Sequence, residues 1–167
     1  EDIKAPESFE IERRLVEELN IQVMHDDQHG TAIISAAALL NDVELAGKKM
    51  DQVRMVISGA GSAAIACANL YVSFGVKAEN IVMFNSKGAL RKDDPNISEM
   101  QRKYATDVKY DSLADAMLGT DVFIGLSSGD IVTPDMLVGM AENPIVFAMA
   151  NPRPEINYDL AIATRKD

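Results

Sequence analysis

Residues 54–64 have the sequence RMVISGAGSAA, and this stretch decides the fold of the chain. The pattern predicts a buried strand, then a Gly-x-Gly-x-x-Ala turn, and then a helix that begins with small residues. In such a junction Gly59 permits the tight turn, Gly61 lets the backbone approach a pyrophosphate, and Ala64 lets the helix pack closely on the strand. The stretch therefore predicts a dinucleotide-binding βα unit.

Apolar runs and helical stretches alternate around this unit. The apolar runs predict strands at Val53–Ile57, Ile81–Phe84, Val122–Leu126 and Ile145–Met149. The stretches between and after them predict helices at Ser62–Phe74, Ile97–Tyr104, Ser112–Leu118 and Pro134–Met140. Strands without polar alternation, interleaved with helices, are typical of a parallel sheet that is covered on both faces. We therefore predict an α/β fold: a Rossmann-like, doubly wound parallel sheet with its ligand crevice at the carboxyl ends of the strands.

The N-terminal part of the chain has a different pattern. The spacing of apolar residues predicts a surface helix over Pro6–Leu19, a short strand over Ile21–His25 and an apolar helix over Thr31–Leu45. This pattern divides the chain into a segment 1–47, which packs on the domain, and a Rossmann domain 48–167.

Length, composition and charge limit the classes of function. The chain has 167 residues, of which 47% are hydrophobic, and this suits one globular core. A net charge of −10 argues against binding to a nucleic acid backbone. The apolar run from Thr31 to Leu40 is too short to span a membrane. The single cysteine, Cys67, fits a reducing compartment, so we expect a cytoplasmic protein.

The turn after the first Rossmann strand provides the candidate pyrophosphate site. Free N–H groups at the start of the following helix, together with the helix dipole, attract an anion. The residues predicted to hold the pyrophosphate are Gly59, Ala60, Gly61, Ser62 and Ala63.

Polar residues after the second and third Rossmann strands complete the candidate cofactor site. No acid follows the second strand, so nothing there repels a 2′-phosphate; Asn85 is expected to bond the ribose, with Ser86 and Lys87 beside the 2′-phosphate. This slightly favours NADP over NAD, although a plain polar turn has the same composition. Ser127 and Ser128 follow the third strand and are predicted to border the crevice, unless they too form a simple turn.

Two adjacent acids, Asp26 and Asp27, lie between the predicted strand and the apolar helix of the N-terminal segment. Neighbouring carboxylates repel each other unless solvent, a cation or a proton separates them. The pair therefore predicts either a solvated loop or a functional site.

Four blocks of the sequence resemble those of bacterial-type malic enzymes. They are HDDQHGTA at 25–32, GAG at 59–61, DVFIG at 121–125 and FAMANP at 147–152. Their order and spacing match over essentially the whole chain, and the opening EDIKAP at 1–6 also fits.

The resemblance implies an activity and a set of site residues. Malic enzymes oxidise L-malate with NAD or NADP and decarboxylate the product to pyruvate and CO₂, using Mg²⁺ or Mn²⁺. The implied metal ligands are Glu1, Asp2 and Asp27. Asp26 resembles the residue that assists proton removal from the hydroxyl, with a purely orienting acid as the alternative. Asn151 resembles the asparagine that faces the nicotinamide and the substrate.

The same resemblance implies that other parts of the enzyme lie outside this chain. The family's catalytic lysine and tyrosine belong to an N-terminal substrate domain, and a C-terminal segment supplies another substrate-binding asparagine. We therefore expect the NAD(P)-binding portion of an active enzyme, inactive alone, whose parent is a dimer or a larger homo-oligomer.

Three alternatives remain at this stage. A malolactic enzyme would use the same residues on the same substrate. Another Rossmann dehydrogenase would not need the metal-binding acids. A non-catalytic nucleotide-binding regulatory module would keep Gly59 and Gly61 but would have no use for Glu1, Asp2 and Asp27 together.

Overall fold

The computed structural model describes residue 3 and residues 7–167, and the side chains of residues 9, 27 and 28 lie outside this description. The helices and strands, in chain order, are α1 (Glu7–Glu18), α2 (Asp26–Leu45), β1 (Met55–Ser58), α3 (Ser62–Ser73), β2 (Ile81–Asn85), β3 (Gly88–Ala89), α4 (Glu99–Arg102), α5 (Leu113–Met117), β4 (Val122–Gly125), α6 (Pro134–Gly139), β5 (Ile145–Ala148) and α7 (Tyr158–Thr164). A 3-10 helix, Ala78–Asn80, leads into β2.

The strands described here form one sheet with the order β3-β2-β1-β4-β5. Met55 of β1 lies opposite Ile81 of β2 on one side and Val122 of β4 on the other, and both pairings are parallel. β5 extends the sheet in parallel beyond β4, whereas the two-residue β3 runs antiparallel at the other edge. Because β2 and β4 lie on opposite sides of β1, the chain reverses direction across the sheet at β1. A ligand crevice forms at such a switch point.

Alternate residues of the strands face two separate apolar cores. On one face, Met55 and Ile57 pack with buried residues of α2 and α3 such as Leu39. On the other face, Val56 and Phe123 pack with residues of α5 and α6. Helices therefore cover both faces of the sheet, and the predicted doubly wound α/β fold is confirmed.

The predicted strands agree with the observed ones to within about two residues at each end, which is the usual uncertainty of a strand boundary. The prediction was less accurate for short elements. The helix expected over Ile97–Tyr104 is a single turn, α4, while β3 and α7 were not predicted at all. β3 has two residues and α7 has seven, so neither contains enough periods of an apolar pattern to stand out.

The prediction of a strand over Ile21–His25 was wrong. These residues belong to no helix or strand, and Ile21 is 70% exposed, so the apolar run has no sheet to join within residues 7–167. The helix that follows begins at Asp26, five residues before the expected Thr31. Acids in a first helical turn interact favourably with the helix dipole, so the pair extends the helix toward its N-terminus.

The apolar helix of the N-terminal segment lies directly on the Rossmann core. α2 contributes Ala32, Ala36, Leu39 and Val43 to the same cluster as β1 and α3. The division of the chain at residue 47 stays a prediction, since α2 ends close to it but shares the core of the domain. Among the described residues, no helix combines the length and apolar character needed to cross a membrane.

Candidate functional site

A cleft of about 570 Å³ opens at the carboxyl edge of the sheet, where the loops after β1, β2 and β4 meet. Its lining comprises Ser58, Gly59, Ala60, Gly61, Phe84, Asn85, Ser86, Gln101, Leu113, Leu126, Ser127, Ser128 and Ile131. The structure thus brings together seven of the residues predicted from the sequence for the cofactor. The position is also the one expected for a ligand in an open α/β sheet.

The backbone conformation and the packing at position 59 require a glycine. Its φ of +129° is a conformation that residues with a side chain rarely adopt. A Cβ at this position would lie 2.6 Å from the carbonyl oxygen of Leu126, and the Gly59 N–H donates to the carbonyl oxygen of Phe84 at 2.9 Å. The turn after β1 therefore packs closely between the ends of β2 and β4.

Gly61 stands in contrast, because nothing in the described protein explains why it is a glycine. Its φ of −83° and ψ of −171° suit any residue, and no atom lies within 4 Å of the place where a Cβ would be. Gly61 is the N-cap of the twelve-residue α3, and it has no side chain to cap the first-turn N–H groups. Open space in front of uncapped N–H groups fits a bound pyrophosphate.

The two residues that follow Gly61 are the first two of α3. Ser62 and Ala63 are both partly buried and contribute their backbone N–H groups to the open helix start. The next residue, Ala64, is 2% exposed, which agrees with its predicted role in close packing of the helix on the strand.

The turn after β2 presents amide and ammonium groups. The Lys87 N–H donates to Asn85 Oδ1 at 2.8 Å, and this bond folds the turn back on itself. Asn85 itself lines the cleft. Ser86 lines the cleft and is exposed, and the exposed Lys87 follows it outside the lining, so this turn brings a positive charge and no carboxylate close to the cleft.

The serines after β4 connect the cleft to a residue that the sequence analysis missed. Ser127 Oγ lies 2.8 Å from Ser58 Oγ at the end of β1. The Ser127 N–H donates to Oε1 of Glu155 at 3.1 Å, and Glu155 is fully buried. Ser128 is exposed at the mouth of the cleft. The motif patterns contained no signal for Glu155, because it lies beyond the last strand in a segment without periodicity.

Gln101 also escaped the sequence analysis. Its Oε1 accepts the Ser98 N–H at 2.9 Å in a capping box at the start of α4. Its Nε2 donates at 2.8 Å to the carbonyl oxygen of Ala60, which belongs to the glycine turn. The Ser-x-x-Gln spacing indicates the capping box but not this second contact. One side chain therefore joins the glycine turn to the opposite wall of the cleft.

We expect the substitution Gln101→Glu to weaken dinucleotide binding about tenfold with little loss of stability. Glutamate can still accept the Ser98 N–H in the capping box, but it has no N–H to donate to Ala60, and its second oxygen faces the Ala60 carbonyl. Nucleotide titration and thermal unfolding of the variant measure the two effects. Gln101→Ala, which removes both contacts, should lower both; an unchanged affinity in Gln101→Glu would contradict the role of the Ala60 contact.

Asn151 lies outside the lining of this cleft, in the loop after β5. Its side chain is exposed, and the peptide bond to Pro152 is cis. The preceding residue, Ala150, donates its N–H to Glu155 Oε2 at 3.0 Å. The loop is thus attached to the carboxylate that also holds Ser127.

The predicted metal site falls largely outside the described residues. Glu1 and Asp2 lie outside them, as does the side chain of Asp27, whose backbone is the second residue of α2. Within the described part of the chain, no group of three His, Cys, Asp or Glu side chains is arranged to hold a metal ion. The metal ligand set therefore stays a prediction.

Asp26 is exposed at the first position of α2 and folds back over the helix. A Cβ at Gly30 would collide with its carboxylate, so Gly30 makes room for Asp26 rather than opening the helix. Glu12 of α1 holds the start of α2 in place, because its Oε1 accepts the His25 N–H at 2.8 Å and contacts His29 Nε2 at 2.9 Å.

A groove lies between the helices α2 and α3. The two helices α2 and α3 pack side by side, and His29, Ile33 and Ser62 line the groove between their N-terminal halves. Ser62 follows the N-cap glycine of α3, while His29 is three residues beyond Asp26. The first turns of the two helices therefore contribute His29 and Ser62 to the same groove.

Comparisons with known proteins agree over the length of the chain. A family model described as "Malic enzyme, NAD binding domain" matches residues 28–161. The chain is 51% identical to the NADP-dependent malic enzyme of Halomonas elongata, covering 100% of this chain and 40% of that protein. It is 50% identical to an NAD-dependent malic enzyme of Rhizobium meliloti, again over 100% of this chain but 22% of the relative.

Solved structures give the same result. The malic enzyme of Entamoeba histolytica superposes with a TM-score of 0.89 at 39% identity, over 98% of this chain and 36% of that one. The NAD-dependent malic enzyme of Thermotoga maritima superposes with a TM-score of 0.88 at 38% identity, over 98% of this chain and 44% of that one. This chain thus spans less than half the length of each of these proteins.

Proposed function

Because this chain belongs to the malic enzyme family and contains its NAD-binding domain, we propose that it is the cofactor-binding part of an enzyme that oxidises L-malate and decarboxylates it to pyruvate and CO₂ with NAD(P). The observation that carries this proposal is the open space beside Gly61 at the uncapped start of α3. A pyrophosphate there would accept hydrogen bonds from the first-turn N–H groups, including those of Ser62 and Ala63. Asn85 would donate to a ribose hydroxyl at the far side of the same cleft.

The acids at the start of the chain supply the other half of the proposed site. We propose Glu1, Asp2 and Asp27 as ligands of Mg²⁺ or Mn²⁺, since hard cations prefer carboxylate oxygens. When bound, such a cation lowers the pKa of a neighbouring hydroxyl and stabilises negative charge on the substrate. Asp26 would accept the proton from that hydroxyl; the support is that His29, three residues beyond Asp26, shares a groove with Ser62 at the start of α3.

Asn151 would complete the contact between the two ligands. It follows β5 in the loop that Glu155 attaches to Ser127, and this attachment supports a role on the nicotinamide side of the proposed site rather than on the pyrophosphate side. Its amide could orient the substrate against the nicotinamide, which favours hydride transfer by proximity. Because the chain spans a minor part of its relatives, we further propose that it has no turnover alone.

We propose NADP in preference to NAD, on the basis of the turn after β2. Relatives named for either cofactor match this chain at 50–51% identity, so overall similarity does not decide between them. The turn itself offers Ser86 and Lys87 as a donor and a cation, without an acid that would repel a 2′-phosphate.

Lys87→Glu should reverse this preference. We expect the ratio of NADP to NAD affinity to fall at least about tenfold, since a cation near the 2′-phosphate is replaced by an anion. Binding titrations with both nucleotides measure the ratio. The matched control is Lys77→Glu, which makes the same charge change at an exposed lysine. Lys77 precedes β2 and so lies toward the amino ends of the strands, away from the cleft. A ratio that moves equally in both variants would count against a specific contact of Lys87.

The activity is tested with the full-length enzyme that contains this chain. We expect malate-dependent reduction of NADP, with pyruvate as the product and an absolute requirement for Mn²⁺ or Mg²⁺. Asp27→Asn should abolish turnover and Mn²⁺ binding, whereas Asp26→Asn should lower turnover but keep Mn²⁺ binding. Lactate without net formation of NADPH would instead identify a malolactic enzyme, and nucleotide binding without any malate turnover would favour a different dehydrogenase or a regulatory module.

We also propose that the full-length enzyme is a cytoplasmic dimer or larger homo-oligomer. The single, fully buried Cys67 agrees with a reducing compartment, and the family resemblance is the support for the oligomer. Sedimentation velocity of the full-length enzyme tests the oligomeric state, and a monomer would refute it.

A further inference from the structure

Glu155 is a charged side chain in a position where charge is costly. It is fully buried, yet it lies in the connection between β5 and α7 rather than at a helix end or on the surface. Burying a carboxylate costs free energy unless hydrogen bonds compensate for the lost water. Two backbone donors do so: the Ser127 N–H at 3.1 Å to Oε1 and the Ala150 N–H at 3.0 Å to Oε2.

The position of the carboxylate is set by the surrounding backbone. The carbonyl oxygen of Glu155 accepts the Val132 N–H at 2.9 Å, and that of Pro154 accepts the Asp130 N–H at 2.9 Å. At Gly125 an added Cβ would collide with the carboxylate, so β4 carries a glycine where the side chain passes. The carboxylate therefore has little freedom to move.

The two donors belong to two different loops, one after β4 and one after β5. Ser127 lines the cofactor cleft after β4 and also contacts Ser58 at the end of β1. Ala150 immediately precedes Asn151 in the loop after β5. A single carboxylate thus connects the loops that follow β4 and β5, and the hydroxyl of Ser127 extends this link to Ser58 at the end of β1.

We propose that Glu155 is a positioning residue, which holds Asn151 and the Ser127 loop at the separation that brings the nicotinamide and the substrate into contact. The inference rests on the proposed function, because it assigns the nicotinamide to this side of the cleft. Glu155 touches neither ligand and acts through the two loops. Among the described residues its carboxylate bonds to Ser127 and Ala150 rather than to the glycine turn, so we expect it to affect turnover much more than dinucleotide affinity.

The test compares Glu155→Gln with wild type in the full-length enzyme. Glutamine has the same size, but its NH₂ group faces one of the two backbone N–H groups and cannot accept from it. We expect kcat to fall about 100-fold, the effect of a misplacement of about 1 Å, while the Kd for NADPH changes less than about threefold. The emission of bound NADPH, which reports the surroundings of the nicotinamide without any turnover, should shift toward that of the free nucleotide.

The matched control is Lys48→Met. Lys48 Nζ contacts Asp121 Oδ1 at 2.7 Å in a largely buried ion pair. Asp121 directly precedes β4, so the pair lies at the amino ends of the strands, whereas Glu155 lies at their carboxyl ends. This variant should lose a comparable amount of thermal stability and keep wild-type kcat and NADPH emission. An equal loss of kcat in Lys48→Met would reduce the role of Glu155 to general stability and overturn the proposal.

Two further measurements keep the result decisive. Should Glu155→Gln fail to fold, Glu155→Asp keeps the charge one methylene shorter, and wild-type kcat and emission in that variant would refute the proposal. Should the wild-type enzyme fail to oxidise malate, the proposed function falls, and the emission of bound NADPH alone decides the inference: a shift supports positioning by Glu155, and unchanged emission refutes it.

Discussion

Replacement of Gly61 by valine is expected to weaken NADP binding on the order of 100-fold and to leave the melting temperature nearly unchanged. Valine is compatible with the extended backbone at this position, and apart from the two chain neighbours no atom of the described residues lies within 4 Å of its Cβ. The new side chain would instead occupy the space in front of the helix start, where the pyrophosphate is proposed to bind. A loss of about 3 kcal/mol of binding free energy corresponds to this factor.

Gly59→Ala, two residues away, is expected to have the opposite effect: a loss of stability of the protein. Its positive φ and the carbonyl oxygen of Leu126 at 2.6 Å from the new Cβ both oppose a side chain. We expect the free energy of unfolding to fall by about 3 kcal/mol. Urea unfolding and nucleotide titration of both variants separate binding from stability. If Gly61→Val unfolded as readily as Gly59→Ala, or bound NADP like wild type, the assignment of the open space to a ligand would be wrong.

Gly125→Ala should be among the most destabilising of small substitutions in the sheet. The new methyl group would displace the fully buried carboxylate of Glu155 and break its bonds to Ser127 and Ala150. Overpacking, together with two backbone N–H groups that lose their acceptor, should lower the free energy of unfolding by about 3 kcal/mol. Urea unfolding of this chain measures the loss. Gly139→Ala is the control, because a Cβ there meets only Leu118 Cδ1 at 3.4 Å.

A double-mutant cycle shows whether this loss comes from Glu155. In a Glu155→Ala background the carboxylate is gone, and the methyl group at residue 125 would occupy part of the vacated space. We expect a coupling free energy of about 2 kcal/mol between the two substitutions. Additive losses would mean that the glycine in β4 is required for a reason unrelated to Glu155.

The agreement between the predicted and observed sheet has a simple physical origin. Val56 and Ile57 are neighbours in the chain and face opposite cores, so a buried strand has to be apolar at every position. The pattern is local, so it predicts the strand even when the partner strands are not known. The glycine turn is equally local, because the φ of Gly59 is a property of that residue's own backbone.

The failure at Ile21–His25 has the converse origin. Apolar and β-branched residues form a strand only where another strand offers hydrogen bonds, and in the described structure none lies beside this run. The start of the following helix is also held from outside, because Glu12 of α1 binds the backbone of His25 and the ring of His29. That contact joins residues 13 positions apart and leaves no periodic trace in the sequence.

By itself the sequence determined the elements whose causes lie within a few neighbouring residues: the four parallel strands, the turn at Gly59 and Gly61, and the polar residues at the strand ends. Only the tertiary structure decided which distant groups meet around them. Gln101 reaches Ala60 across 41 residues, and Glu155 reaches Ser127 across 28. Such contacts depend on where the folded sheet brings its loops, and hydrogen bonds between loops follow no period that a sequence could display.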